Sequence, residues 1–280
     1  MTEKINQQKH TKCFNLAVGL MFLAGLTTLL GGCSKNGANS NAASSNAPPS
    51  PGTVIKNSIG MEFAYAPAGS FQMGSDTGSS KEQPVHQVKF ANGFYMGRYE
   101  VTQGQWQKVM GKNPSFLGQC GENCPAEEVS WNDAQDFVKK LNATNDGYTY
   151  HLPSEAEWEY ACRAGTTGDY AGDLDAMGWY EKNADNQTHP VGQKKPNAWG
   201  LYDMHGSVAE WVMDNQHYSY EGAPTDGSAW MGGDAPERLV RGGSSYDSAT
   251  SLRSAYRGWY GADEHNFRVG IRLIASPQSK

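Results

Sequence analysis

The chain has 280 residues, 38% of them hydrophobic and 19% charged, with a formal net charge of −6. That length and apolar content supply a real core and exclude a disordered or purely disulfide-held scaffold. The acidic balance excludes nucleic acid and anionic lipid headgroups as electrostatic partners.

Lys4, Lys9 and Lys12 precede an apolar run from Phe14 to about Leu30, which ends in Leu30, Gly31, Gly32 and Cys33. Basic, then apolar, then small residues is the order of a secretory signal peptide, read here over residues 1–32. A retained membrane anchor is the alternative, because the run approaches bilayer-spanning length. The ending resembles the lipobox of bacterial lipoproteins, which implies cleavage before Cys33, lipidation of its thiol and anchoring in the bacterial cell envelope, at the outer membrane or cell surface. Removing residues 1–32 takes three of the 23 basic and one of the 29 acidic residues, which leaves a formal charge of −8. Residues 33–53 are almost entirely Ser, Asn, Ala, Gly and Pro and read as a flexible tether.

The folded part, read as residues 54–276, opens with short apolar alternations over Gly60–Tyr65 and Pro67–Gly74, broken by Pro and Gly as in short strands. His86–Tyr99 reads as a strand pair around Asn92-Gly93, a hairpin signal. Thr102 caps a helix to Met110 that stops at Gly111. Cys120 and Cys124 frame a short loop that suits a local disulfide in an oxidising compartment; a zinc site would need two further ligands. Ser130 caps a second helix, in which Ala134, Phe137, Val138 and Leu141 share one face before it ends at Asn142. Ser154 with Glu157 forms a capping box for a third, Glu155–Ala164, with Cys162 a buried thiol on its inner face. Gly168–Gly233 carries little regular periodicity, a length of loop that implies function or metal binding.

The C-terminal stretch, Arg241–Arg272, organises the rest. Leu239–Arg241 reads as a strand entering a turn at Gly242-Gly243, and Phe267, Val269, Ile271 and Leu273 alternate as in a half-buried strand. Between them Tyr246, Asp247, Tyr256, Trp259, Tyr260 and His265 show no steady period. Large amphipathic aromatics among small polar residues are the composition of binding loops, which makes these six the candidate ligand contacts, held by a frame of Arg241, Arg253 and Arg268. An ordinary surface loop is the alternative.

The ordered motifs Phe71–Gly74, Tyr99–Thr102, Pro125–Trp131, Leu152–Ala161, Asn197–Trp211, Arg241–Ser244 and Gly270–Arg272 resemble the formylglycine-generating enzyme, or sulfatase-modifying factor, family. The resemblance implies an α+β fold of C-type-lectin-like architecture with little regular secondary structure. Enzymes of that family oxidise a substrate cysteine with copper held by two C-terminal cysteines, and no Cys follows Cys162 here. Thiolate is the soft ligand that copper chemistry needs, so no copper and no such activity is expected. The scattered histidines offer no paired spacing for iron. Asp203–Glu210 resembles the family's calcium loop, implying Ca²⁺ ligands at Asp203, Gly206, Val208 and Glu210; turn and capping roles for the Asp and Glu are the alternative. The frame of Arg241–Ser244, Arg253–Ala255, Arg257 and Gly270–Arg272 also resembles that of lectin-like lipoproteins diversified by retroelements. Residues reachable from Asn codons by adenine changes fill much of the gap between these frame positions. Together these readings imply a surface lipoprotein binding a protein or cell-surface ligand. A metal-dependent oxidase or a scaffold part of an envelope complex are the rivals.

Overall fold

The computed structural model describes residues 47–233 and 236–278. Residues 1–32, and most of the tether with Cys33, lie outside the described residues. Hydrogen bonding to the folded domain begins at Gly52 and Thr53, which bond to Tyr65 on an adjacent strand. Among the described residues, no helix is long and apolar enough to cross a membrane.

The strands are β1 (Val54–Lys56), β2 (Glu62–Ala66), β3 (Gly69–Met73), β4 (His86–Phe90), β5 (Phe94–Gly97), β6 (Tyr148–His151), β7 (Ala209–Asn215), β8 (Glu237–Arg241), β9 (Gly258–Gly261), β10 (Val269–Ile271) and β11 (Ile274–Pro277). The helices are α1 (Gln103–Met110), α2 (Trp131–Asn142), α3 (Glu155–Arg163) and the single turn α4 (Leu174–Met177). Strands and helices mix without a βαβ repeat, and more than half of the described chain is turn or loop. This is the α+β, C-type-lectin-like architecture expected.

The three long helices start where their capping residues predict. Thr102, Ser130 and Ser154 each accept a bond from the backbone three residues on, and the residue there returns one. Gly111 ends α1 in the left-handed region at φ 85°, while α3 closes one residue before the expected Ala164, which itself takes φ 44°. Two cores result. The first packs Trp106, Phe137 and Leu141 of α1 and α2 against Trp211 and Ile271; the second packs Trp158 and Tyr160 of α3 against Phe90, Met96 and Leu239.

Three expectations are corrected. β4 and β5 are consecutive but not paired: β4 pairs with β3, and β5 with β2 and β11. Phe90 and Phe94 both contact the ring of Tyr160, so the corner at Asn92-Gly93 is held by aromatic packing rather than by a hairpin ladder. Phe267–Leu273 is not one half-buried strand. β10 ends at Ile271 and β11 restarts in another sheet, with Val269 through Leu273 all buried. Gly270 permits this, because a Cβ there would lie 2.5 Å from the Ala126 carbonyl. Finally β7, inside the segment read as loop, is an inner strand of the four-stranded sheet β10-β7-β8-β9. Being buried on both faces, it lacks the alternation by which a strand is recognised.

Five acid–arginine contacts tie these elements together out of solvent: Glu155 to Arg241 and Arg257, Glu159 to Arg163 and Arg241, and Glu210 to Arg272. Removing one partner of a buried pair strands the other charge. Arg241→Met is therefore expected to lower unfolding free energy in urea by about 3–5 kcal/mol, whereas Lys56→Ala, at an exposed pair with Glu62, costs less than about 1 kcal/mol. Equal losses in the two variants would disprove the ranking.

Candidate functional site

The C-terminal face is built outward from α3. Glu155 and Glu159 lie one turn apart, so their carboxylates reach the same side. Arg241, with no exposed surface, donates from Nη1 to Glu155 Oε1 at 3.1 Å and from Nη2 to Glu159 Oε2 at 2.6 Å. It also donates to the carbonyls of Ala255 and Ser254. Arg257 adds a two-point contact on Glu155 at 2.7 and 3.0 Å. Burial alone would raise the Glu155 pKa, but the Arg257 and Arg241 guanidiniums outweigh it and hold the carboxyl below its ordinary value. Arg253 makes a bidentate pair with Glu82 at 2.7 and 2.8 Å. Arg241 and Arg253 therefore hold the frame as expected, and Arg257 joins them.

After β8 the chain turns at Gly242 and Gly243, with φ of 92° and 68°. A Cβ on Gly243 would sit 2.8 Å from the Ser251 carbonyl. The tight turn brings the following loop back over the sheet, where β9 pairs with β8. The middle of the stretch is thus more regular than its composition suggests, since Trp259 and Tyr260 sit on a strand.

Four of the six candidate contacts, Asp247, Tyr256, Trp259 and Tyr260, line one pocket of about 220 Å³ with Ala209, Val240, Gly243, Ser251 and Gly258. Asp247 Oδ2 accepts from Ser244 N and Oγ at 2.9 and 2.6 Å. Burial, then the nearby Asp247 carboxylate, raises the Tyr260 phenol. Tyr246 stands outside this pocket, edge-on to Phe267 at 5.1 Å. His265 is elsewhere, 53% exposed and paired with Asp133 at 2.8 Å. Arg268 departs from its expected frame role: it lies over the Tyr246 and Phe267 rings, 39% exposed, with Nη1 3.6 Å from Asp247 Oδ1.

Sequence reasoning missed Phe116. It is 74% exposed and extends the aromatic strip, its ring 6.0 Å from Phe267. The loop holding it is pinned by the buried Glu127 carboxylate, which accepts from the Phe116 and Leu117 amides at 3.2 and 2.8 Å. The only signal was the Phe116-Leu117 pair standing in a polar, Gly- and Pro-containing loop.

Cys120 and Cys124 are bridged. Cys162 is a free buried thiol beside His205, and burial pushes it up to about 12, so it is not a thiolate; it does not line the pocket.

At the expected calcium loop, Glu210 accepts from Arg272 and from Trp158 Nε1. Asp203 Oδ2 accepts from Gly192 N, while Asp203 Oδ1, both Glu100 oxygens and Ser207 Oγ are buried without a partner. Burial, then the Asp203 carboxylate, raises Glu100 well above its ordinary value. Among the described residues no three His, Cys, Asp or Glu side chains are grouped to hold a metal.

Residues 55–277 match the family described as the sulfatase-modifying factor enzyme 1-like domain, and the chain belongs to that family. It is 29% identical over 278 residues to the protein named Chaperone protein LppX of Paenibacillus barcinonensis, covering 80% of this chain and 92% of that one. With the formylglycine-generating enzyme of Mycobacterium tuberculosis the identity is 27%, over 62% of this chain and 64% of the enzyme. Among solved structures, PvdO from Pseudomonas aeruginosa superposes with a TM-score of 0.75 at 32% identity, covering 82% of this chain and all of that one. Treponema denticola variable protein 1 superposes with a TM-score of 0.73 at 27% identity, over 80% and 99%.

Glu127 generates a pH prediction. Burial raises its pKa from 4.5 to about 7. Between those values the folded protein holds a proton that the unfolded chain has released, so this group disfavours folding increasingly as pH rises through the window. Glu127→Gln removes the titration. The melting temperature of the variant relative to wild type should therefore climb between pH 5 and pH 8; a difference that stays flat or falls contradicts the assignment.

Proposed function

We propose that this sulfatase-modifying-factor family member is an exported, lipid-anchored binding protein, attached through Cys33 and the 33–53 tether, that engages a protein or cell-surface ligand through its C-terminal face. The observation that carries the reading is the convergence of Asp247, Tyr256, Trp259 and Tyr260 on one pocket over a frame of buried ion pairs. Half-buried aromatics around small polar groups form the kind of centre that dominates binding energy. Neither Cys nor His lines the pocket, so it offers no thiol or imidazole for chemistry, and binding fits it better than catalysis. Likeness over about four fifths of the chain to proteins named as a chaperone and as a variable protein supports the same reading. Diversification of this face by a retroelement belongs to the proposal and is tested by a template repeat and a reverse-transcriptase gene nearby.

The test is capture from envelope and host-surface extracts. A Tyr256→Ala, Trp259→Ala double variant with unaltered circular dichroism should lose at least tenfold in captured partner. Equal capture means that the binding face is elsewhere.

A structural Ca²⁺ belongs to the same proposal, with the ligand set redrawn. Glu210 is committed to Arg272, so the side chains that would hold the ion are Glu100, Asp203 and Ser207, whose buried oxygens lack partners, with backbone oxygen from Gly206 and Val208. Oxygen donors suit a hard cation, which when bound would neutralise the two carboxylates. At a hundredfold excess over Kd, calcium should raise the melting temperature by roughly 5–10 °C over chelator, and Glu100→Gln should abolish the rise. An unchanged wild-type melting temperature rules the ion out, leaving protonation to neutralise Glu100.

A further inference from the structure

We infer that the pocket between Asp247, Tyr256, Trp259 and Tyr260 receives a cationic side chain, an ammonium or guanidinium group, of a protein partner; this rests on the reading that the face meets such a partner. Size sets the first limit. A volume of about 220 Å³ is below the range of drug-sized ligand sites, so the space admits one side chain rather than a whole cofactor or oligosaccharide.

The chemistry of the lining sets the second. The pocket combines the apolar groups of Ala209 and Val240 with three aromatic rings, and its single charged residue is Asp247. Aromatic faces beside a carboxylate attract a cation with an apolar stem, since the stem packs on the rings while the ring quadrupoles and the carboxylate favour the charge. The carboxylate retains capacity for it. Ser244 occupies Asp247 Oδ2, but Oδ1 has only the 3.6 Å approach of Arg268, which is longer than a hydrogen bond.

The protein already sets cations against aromatic rings here, at Trp259 in the pocket and at Tyr246 beside it. Lys81 Nζ lies 3.4 Å from the Trp259 ring centroid, and the Arg268 guanidinium lies 5.2 Å from that of Tyr246. Neither Lys81 nor Arg268 lines the pocket, so they do not fill it. Without residues 1–32 the chain carries a formal charge of −8, which attracts a basic partner at long range.

The test uses small probes with a three- or four-carbon stem and different heads: n-butylammonium, n-butylguanidinium, n-butanol and butyrate, titrated at constant ionic strength into the folded protein. The readout is the Trp259 indole N–H resonance, assigned by Trp259→Phe. The two cations should give saturable shifts with Kd at least fivefold lower than butanol, and butyrate should give none. Asp247→Asn, which keeps an acceptor for Ser244, should weaken the cations at least fivefold and leave butanol unchanged; Tyr256→Ala should weaken all binding. Butanol or butyrate binding as tightly as the cations overturns the inference, as does the absence of any saturable shift. Because the probes need no partner, a pocket that binds cations while the double variant captures partners normally would sink only the broader reading of the face. Loss of capture with no cation preference would sink only this one.

Discussion

Two glutamates one helical turn apart on α3 hold the C-terminal half of this protein in place. Glu155 and Glu159 receive Arg241, Arg257 and Arg163, each almost fully buried, and Arg241 passes the constraint on to the carbonyls of Ser254 and Ala255. Replacing a whole buried ion network by apolar residues is often neutral or stabilising, so stability alone is a poor account of why it is there. Its effect here is positional. Guanidinium forks fix direction as well as distance, and the loop from Ser244 to Arg257 has only one short helical turn to define its path. Arg241, Arg257 and, through Glu82, Arg253 supply what a backbone ladder would otherwise supply.

The same device recurs at the junction of the sheets. Arg272 leaves β10 and, instead of facing solvent, spans Glu210 on β7, the Gly97 carbonyl on β5 and the Tyr202 carbonyl. One side chain therefore links the four-stranded sheet to the five-stranded one where the chain crosses between them. Glu210 is also bonded by Trp158 of α3, so the two networks meet through a single helix. Any displacement of α3 would move the floor of the pocket and the crossing together.

The legible parts of this fold are those whose cause is local. Capping residues and apolar spacing located α1, α2 and α3 to within a residue, because a cap and an amphipathic face are complete within one helix. Cys120 and Cys124 were legible because a separation of four residues leaves few alternatives. What was not legible depends on partners far away in sequence. The residues after Asn92-Gly93 read as the return strand of a hairpin, yet β5 finds its partners in β2 and β11, the latter almost 180 residues away. β7 was missed because its acidic residues, normally signs of exposure, are neutralised by Arg272 or bonded by the Glu155 and Trp230 amides. Composition singled out Tyr256, Trp259 and Tyr260 together with Tyr246 and His265; only the fold brings the first three to one pocket, and nothing local marked Phe116.

Frame and face alternate along the chain, and that arrangement separates the residues that hold the fold from those that line the pocket. Arg253, Ser254, Ala255 and Arg257 are buried, while Tyr256, Trp259 and Tyr260 between and after them are half-buried at the pocket. A substitution at a frame position strands a carboxylate or opens the core, whereas one at Tyr256 changes a surface whose backbone is held by its buried neighbours Ala255 and Arg257. The separation is incomplete at Trp259 and Tyr260, which also lean on the two cores. The pocket therefore has a rigid side, strand β9, and a loop side on which Tyr256 is replaceable while Asp247 also holds the Ser244 turn. Shape on the Tyr256 side, more than charge at Asp247, is what this architecture leaves free to vary.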